Sequence, residues 1–212
     1  VPDSAAYKLG LGVLRLGFEY LASMELTEHG RPVIEELRDQ SGYSAHITVR
    51  DGRDVVFVAK APGRAAIFHS IQVGARLPAH ATVLGRLLLS DLDLAALAEL
   101  YPERPLPAYT ARTPTTLEQL KTLIDQDRAR GHAVSQGGFE TGISTIAAPV
   151  FDDAGHVVAA VSITVPAQQI EPTLAERLIA QVREAAAQLT RRISHLPQRG
   201  GWPATEPHRT AA

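Results

Sequence analysis

The segment Ile143-Ser144-Thr145-Ile146-Ala147-Ala148-Pro149-Val150-Phe151-Asp152-Asp153-Ala154-Gly155-His156-Val157-Val158-Ala159-Ala160-Val161-Ser162-Ile163-Thr164-Val165 decides the architecture. Two β-branched runs flank a polar turn, which reads as an antiparallel hairpin with strands over 143–151 and 156–165. Strand side chains alternate between faces, so Val157, Ala159, Val161, Ile163 and Val165 share one side and predict a core. Val158, Ala160, Ser162 and Thr164 share the other. That second face starts small and ends in hydroxyls, and Ser144 and Thr145 add hydroxyls on the neighbouring strand. Small residues make room for a ligand and hydroxyls fix its polar groups. The same hydroxyls also suit a solvent-facing strand or one that satisfies nearby backbone, and this strand alone does not separate the two.

Upstream, a second hairpin is expected. Ala45, Ile47 and Val49 alternate with Ser44, His46 and Thr48, Asp51-Gly52 is a turn signal, and 54–60 returns. A further strand is predicted over 66–73 and a loop over 74–81. Helical spacing of apolar residues marks 7–22, where Leu9, Val13, Leu16 and Tyr20 recur, and 27–40, with Thr27 as N-cap and Gly42 as stop. Shorter helices are predicted over 83–89 and 91–101. Thr115 and Thr116 each stand three residues before Glu118 and Gln119, the capping-box spacing, and open a helix ending at Gly131. A last helix is expected over 172–194, and 197–212 reads as a flexible tail. Hairpins on either side of a helical insertion imply an α+β domain with a mostly antiparallel sheet flanked by helices.

Charge and composition then exclude several function classes. Among 212 residues, 21 basic side chains are scattered among 23 acidic ones, for a net charge of −2. A free-standing DNA-binding domain draws most of its affinity from a basic face, and none is visible here. The absence of cysteine removes disulfides, thiol nucleophiles and thiolate metal sites. It is also compatible with a reducing, cytoplasmic location. No apolar run reaches membrane-spanning length, so no membrane partner is expected. The chain starts at Val1 rather than Met, which reads as a fragment of a longer protein.

Four further places are weighed for chemistry. Pro78-Ala79-His80-Ala81-Thr82 precedes a helix whose first N–H groups suit a carboxylate, although Thr82 or His80 would serve equally as an ordinary cap. The glycines between Gly131 and Gly142, beside Ser135, Gln136 and Glu140, mark a turning loop that is able to close over a ligand. His46, His69 and His80 come from unrelated segments, so a metal shared by them is not expected, and neither is any cofactor. Gly142-Ile143-Ser144-Thr145-Ile146 lacks the second glycine of a hydrolase elbow and leads into a strand, which argues against a serine enzyme.

The combined pattern resembles the effector-binding domain of the IclR family of bacterial transcription regulators. Tyr7-Lys8-Leu9-Gly10 with Leu16-Gly17 resembles the segment that joins that family's winged-helix DNA-binding domain to its sensor. Val73-Gly74-Ala75-Arg76-Leu77-Pro78-Ala79-His80-Ala81-Thr82, with Leu84-Gly85-Arg86, is similar to its most distinctive stretch. Gly131-His132, then Gly142 through Ile146-Ala147-Ala148-Pro149-Val150-Phe151-Asp152, and Ala159-Ala160-Val161-Ser162-Ile163 follow in order.

The resemblance implies a GAF-like fold, a small organic acid as effector, and a homodimer or homotetramer. It places ligand contacts at Thr82, Val83, Leu84, Ser135, Ile143, Thr145, Ser162 and Thr164. It also divides the chain into a linker and dimerisation helix over 1–24, an effector-binding domain over 25–196 and the tail. Operator DNA would be met only through a domain outside this chain. Gln136-Gly137-Gly138 stands where many members are acidic, Thr145 where a small residue or cysteine is frequent, and Val83 and Leu84 are bulkier than some equivalents. The rivals are a similar sensor module that signals through protein contacts, and a hydrolase using Ser144 or Ser162 with a histidine.

Overall fold

The computed structural model describes residues 25–63, 71–135, 139, 142–167 and 171–194. The expected helix over 7–22, the linker assigned to 1–24 and the tail over 197–212 lie outside the described residues.

Six strands form one sheet: β1 (Ser44–Asp51), β2 (Asp54–Ala61), β3 (Arg76–Pro78), β4 (Ala133–Val134), β5 (Ile143–Phe151) and β6 (Val157–Pro166). Their spatial order is β3-β2-β1-β6-β5-β4, and every neighbouring pair is antiparallel. The α+β, GAF-like arrangement expected from the sequence is the observed one.

One face of the sheet is covered by α1 (Glu25–Ser41) and α5 (Pro172–Ile193). Val33, Ile34 and Leu37 of α1, with Leu178, Val182 and Leu189 of α5, bury Ile47, Val49, Ile146, Val161 and Ile163. The opposite face is covered by α2 (Val83–Leu88), α3 (Leu94–Leu100) and α4 (Leu117–Arg130). There Val83, Leu84, Leu87, Leu120 and Ile124 pack with Phe57, Ala133, Ala147 and Ala160.

Several expectations move. Helix α1 already includes Glu25, so Thr27 lies buried inside it and is not its N-cap. Gly42, at a φ of +80°, ends that helix as read, its N–H donating to Arg38 O at 2.7 Å. Of the strand predicted over 66–73, residues 71–73 are not strand, and the rest falls outside the described residues. Gly74, at a φ of +89°, turns the chain so that Arg76–Pro78 pairs with β2 instead. Pro78 closes this outer strand, where its missing N–H costs no ladder bond. Helix α3 starts at Leu94 because the Asp93 carboxylate accepts from Ala96 N at 2.8 Å. Asp91, read as part of that helix, accepts from Val157 N at 2.7 Å. Thr116 caps α4 by accepting from Gln119 N, while the Gln119 side chain accepts from Thr115 N rather than from Thr116.

Candidate functional site

Helix α2 sits on the sheet because of two local devices. Gly85 has no side chain, and a Cβ there would stand 2.0 Å from Ala79 O, so only glycine admits the single 3-10 turn Ala79–Ala81 against the helix. Arg86 Nε donates to Asp127 Oδ2 at 2.6 Å, fastening α2 to α4 by an ion pair 12% and 3% exposed. Burial at that level removes the screening that makes surface pairs weak, and leaves either partner costly to strand.

Strand register sets three rows of side chains on the face under α2. In the middle row His46 pairs with Ser162, and Ser162 with Ala147; Lys60 extends the row from β2 and Ala133 from β4. One step along, Ser44 pairs with Thr164 and Thr164 with Thr145, and Ser135 N donates to Thr145 O at 2.8 Å. On the other side of the middle row, Thr48 pairs with Ala160 and Ala160 with Pro149.

The structure therefore gathers Ser135, Thr145, Ser162 and Thr164 on adjacent rows of one face. Ile143 stands at the start of β5 opposite Pro166. Val83 and Leu84 are buried in the same apolar cluster as Ala147 and Ala160, which puts α2 over that face. The Thr82 hydroxyl accepts from Gly85 N at 3.1 Å, so it serves as the α2 cap. Ser144 projects to the other side, pairs with Val165, and donates its hydroxyl proton to Ser135 O.

Polarity on this face is unusual. Ser162 is 1% exposed and His46 3%, yet neither Ser162 Oγ nor His46 Nδ1 has a hydrogen-bond partner. Buried polar atoms are normally paired, and leaving one unmade costs about 1–3 kcal/mol. Burial, helped by the nearby Lys60 ammonium, pulls the His46 imidazole down to about 4, so it is neutral at physiological pH. The Phe57 ring meets it edge-on at 5.5 Å. The alternation of His46 with Ala45 and Ile47 in the sequence assigns it to the face opposite them, and the β1–β6 register adds its pairing with Ser162.

His80 is engaged elsewhere, with Nε2 within hydrogen-bonding distance of Pro107 O at 2.9 Å and its ring against Tyr101 and Tyr109. Tyr109 in turn meets Phe139, the one described residue of the loop between Ser135 and Gly142, at 4.9 Å. Among the described residues no three His, Cys, Asp or Glu side chains converge as a metal site, and no helix is long and apolar enough to cross a membrane.

Comparison with known proteins gives a consistent set of relatives. The family described as "Bacterial transcriptional regulator IclR C-terminal" matches residues 18–191. The HTH-type transcriptional repressor AllR of Klebsiella pneumoniae is 30% identical over 91% of this chain and 71% of its own. A crystal structure of a Rhodococcus sp. RHA1 protein described as a transcriptional regulator is 35% identical, with a TM-score of 0.81 over 89% of this chain and 78% of that one. An IclR homologue from Microbacterium hydrocarbonoxydans, crystallised with 4-hydroxybenzoate, is 25% identical, with a TM-score of 0.75 over 88% of this chain and 75% of its own.

Proposed function

The chain belongs to the IclR family of bacterial transcriptional regulators as its effector-binding domain, and from that premise we propose that the sheet face under α2 receives a small organic acid. The carrying observation is the pair of buried, unpartnered polar atoms at Ser162 and His46 beside the hydroxyls of Thr145 and Thr164. The residues assigned to the ligand are Thr82, Val83 and Leu84 from the α2 start, Ser135, Ile143 and Thr145 from the β4–β5 side, and Ser162 and Thr164 from β6. A relative crystallised with 4-hydroxybenzoate supports an acid of this size.

Binding there would favour one arrangement of a homodimer or homotetramer. That arrangement would set the affinity of winged-helix domains, outside these 212 residues, for operator DNA in the cytoplasm. A nearly complete switch needs about 10⁴-fold differential affinity between the two states. A few buried hydrogen bonds at about 1–3 kcal/mol each supply that.

A catalytic reading has one observation behind it, the cross-strand neighbours Ser162 and His46. No hydrogen bond joins them, and a base held near 4 is mismatched to proton abstraction at neutral pH. We therefore read the chain as a sensor and not an enzyme.

A thermal-shift screen tests this, using keto, hydroxy and aromatic acids, 4-hydroxybenzoate among them, each beside its neutral amide. Ligand at 100 times its dissociation constant adds about 2.7 kcal/mol of stability. Stabilisation by an acid and not its amide is expected. Stabilisation by neutral compounds alone would remove the acid, and silence across the panel would favour a module that signals by protein contact.

A further inference from the structure

Resting on that reading of the face, we propose that His46 is a specificity-determining residue that, with Ser162, reads a hydroxyl group carried by the effector at some distance from its carboxylate. The two side chains are register partners on β1 and β6 and project to the same side, because Ala45 and Ile47 on β1, and Val161 and Ile163 on β6, all enter the opposite core. Directly paired side chains of this kind stand about 4.5–5.5 Å apart at Cβ, close enough to share one small group. Each is more than nine-tenths buried and each keeps an atom without a partner. The other two such atoms among the described residues, Tyr101 Oη and Gln181 Oε1, belong to no shared strand row.

The chemistry of the pair selects what it receives. A serine hydroxyl both donates and accepts, and a ring nitrogen of a neutral imidazole does one or the other according to tautomer. Between them they offer a donor and an acceptor, the complement of a hydroxyl. A carboxylate is a poor match, because it only accepts and would lose its water beside an uncharged imidazole. Lys60, the cation of this row, lies on the far side of His46 from Ser162 and donates to Ile71 O at 2.9 Å.

The acid end has a separate place. Thr145 and Thr164, paired and half-buried, form the next row. Residues two apart on a strand are separated by about 6.7 Å. A ring-sized spacer bridges that interval, so the class favoured is a hydroxylated aromatic acid, with the acid at the Thr145 and Thr164 row and the hydroxyl at His46 and Ser162. Ala147, cross-strand from Ser162 in the same row and packed in the cluster that includes Leu84, keeps the side chain beside this interval small.

The test compares acids that differ by one hydroxyl, 4-hydroxybenzoate with benzoate and lactate with propanoate, by titration calorimetry on the wild-type chain, His46→Leu and Ser162→Ala. A buried pair satisfied by ligand is worth about tenfold or more in affinity. The wild type should favour 4-hydroxybenzoate over benzoate by that factor. Both variants should bring the ratio within about threefold, because each weakens 4-hydroxybenzoate more than it weakens benzoate. Equal binding of benzoate and 4-hydroxybenzoate by the wild type would overturn the hydroxyl subsite and leave the acid-sensing reading intact. A ratio unchanged in both variants would remove His46 and Ser162 from the subsite. Failure of the wild type to bind any of the four acids would overturn the subsite, and if the wider acid panel is also silent, the acid-sensing reading falls with it.

Discussion

The two faces of the sheet are built from the same strands and differ in what they leave unmade. Toward α1 and α5, Ile47, Val49, Ile146, Val161 and Ile163 interlock with helix side chains, and Ser144, the one buried polar sheet residue described on that side, is satisfied by donating to Ser135 O. Toward α2, the cluster around Phe57, Ala147, Ala160 and Leu84 is interrupted by His46, Thr48, Ser162 and Thr164. The first face holds the domain together, since nearly every atom buried there gains by being buried. The second contains polar atoms whose desolvation nothing offsets. Under the proposed function, the effector supplies the missing bonds.

That contrast fails or sharpens under perturbation. The largest effect is expected from Arg86→Ala, which leaves the buried Asp127 carboxylate only its 3.9 Å ion pair with the exposed Arg130. It should cost about 4 kcal/mol in urea unfolding. A loss below about 1 kcal/mol would mean that α2 is held over the face by apolar packing alone.

Next is Ile163→Ala on the structural face, fully buried among α1 and α5 side chains. It should cost about 3 kcal/mol through lost burial and the cavity left behind, with effector affinity unchanged. A matching loss of affinity at retained fold would show that the two faces are not separate in function.

Smaller again is the pH response. His46 is held at about 4, below its ordinary 6.5, so the unfolded chain binds more protons than the folded one between these values. Stability from this group is complete above about pH 6.5 and is lost as pH falls toward 4. Between about pH 6.5 and about pH 5 the loss should be roughly 2 kcal/mol. His46→Leu should flatten that part of the curve; identical curves for variant and wild type would mean that His46 titrates normally and is not desolvated.

How much of this was legible in the sequence follows the range of the interactions concerned. The alternation of Val157 to Val165 separates a core face from a hydroxyl face because it is local, a property of one strand. Gly131 as a helix stop, at a φ of +68°, and the caps near Thr116 are local too. Strands β3 and β4 were missed because two or three residues carry no period of their own; they exist only by pairing with β2 and β5. Helix α1 was opened too late because Thr27 has the side chain of a cap but lies within a helix that already includes Glu25.

The candidate site divides the same way. Ser162 and Thr164 are read from alternation and Thr145 from the neighbouring hairpin strand, whereas Ser135 stands in the glycine-rich loop and is assigned by the family resemblance. His46 was set aside because its neighbour is 116 residues away in sequence, joined to it by the register between β1 and β6. No short window contains that pairing. Register also shows that Ser144 and Thr145, adjacent in the chain, serve opposite faces.

The most direct measurement is calorimetric titration of the panel's most stabilising acid into the wild type, Ser162→Ala and, as a matched change on the other face, Ile163→Val. The account predicts about a tenfold or greater loss of affinity for Ser162→Ala and an unchanged value for Ile163→Val. Equal affinities in all three proteins, or a loss confined to Ile163→Val, would contradict it.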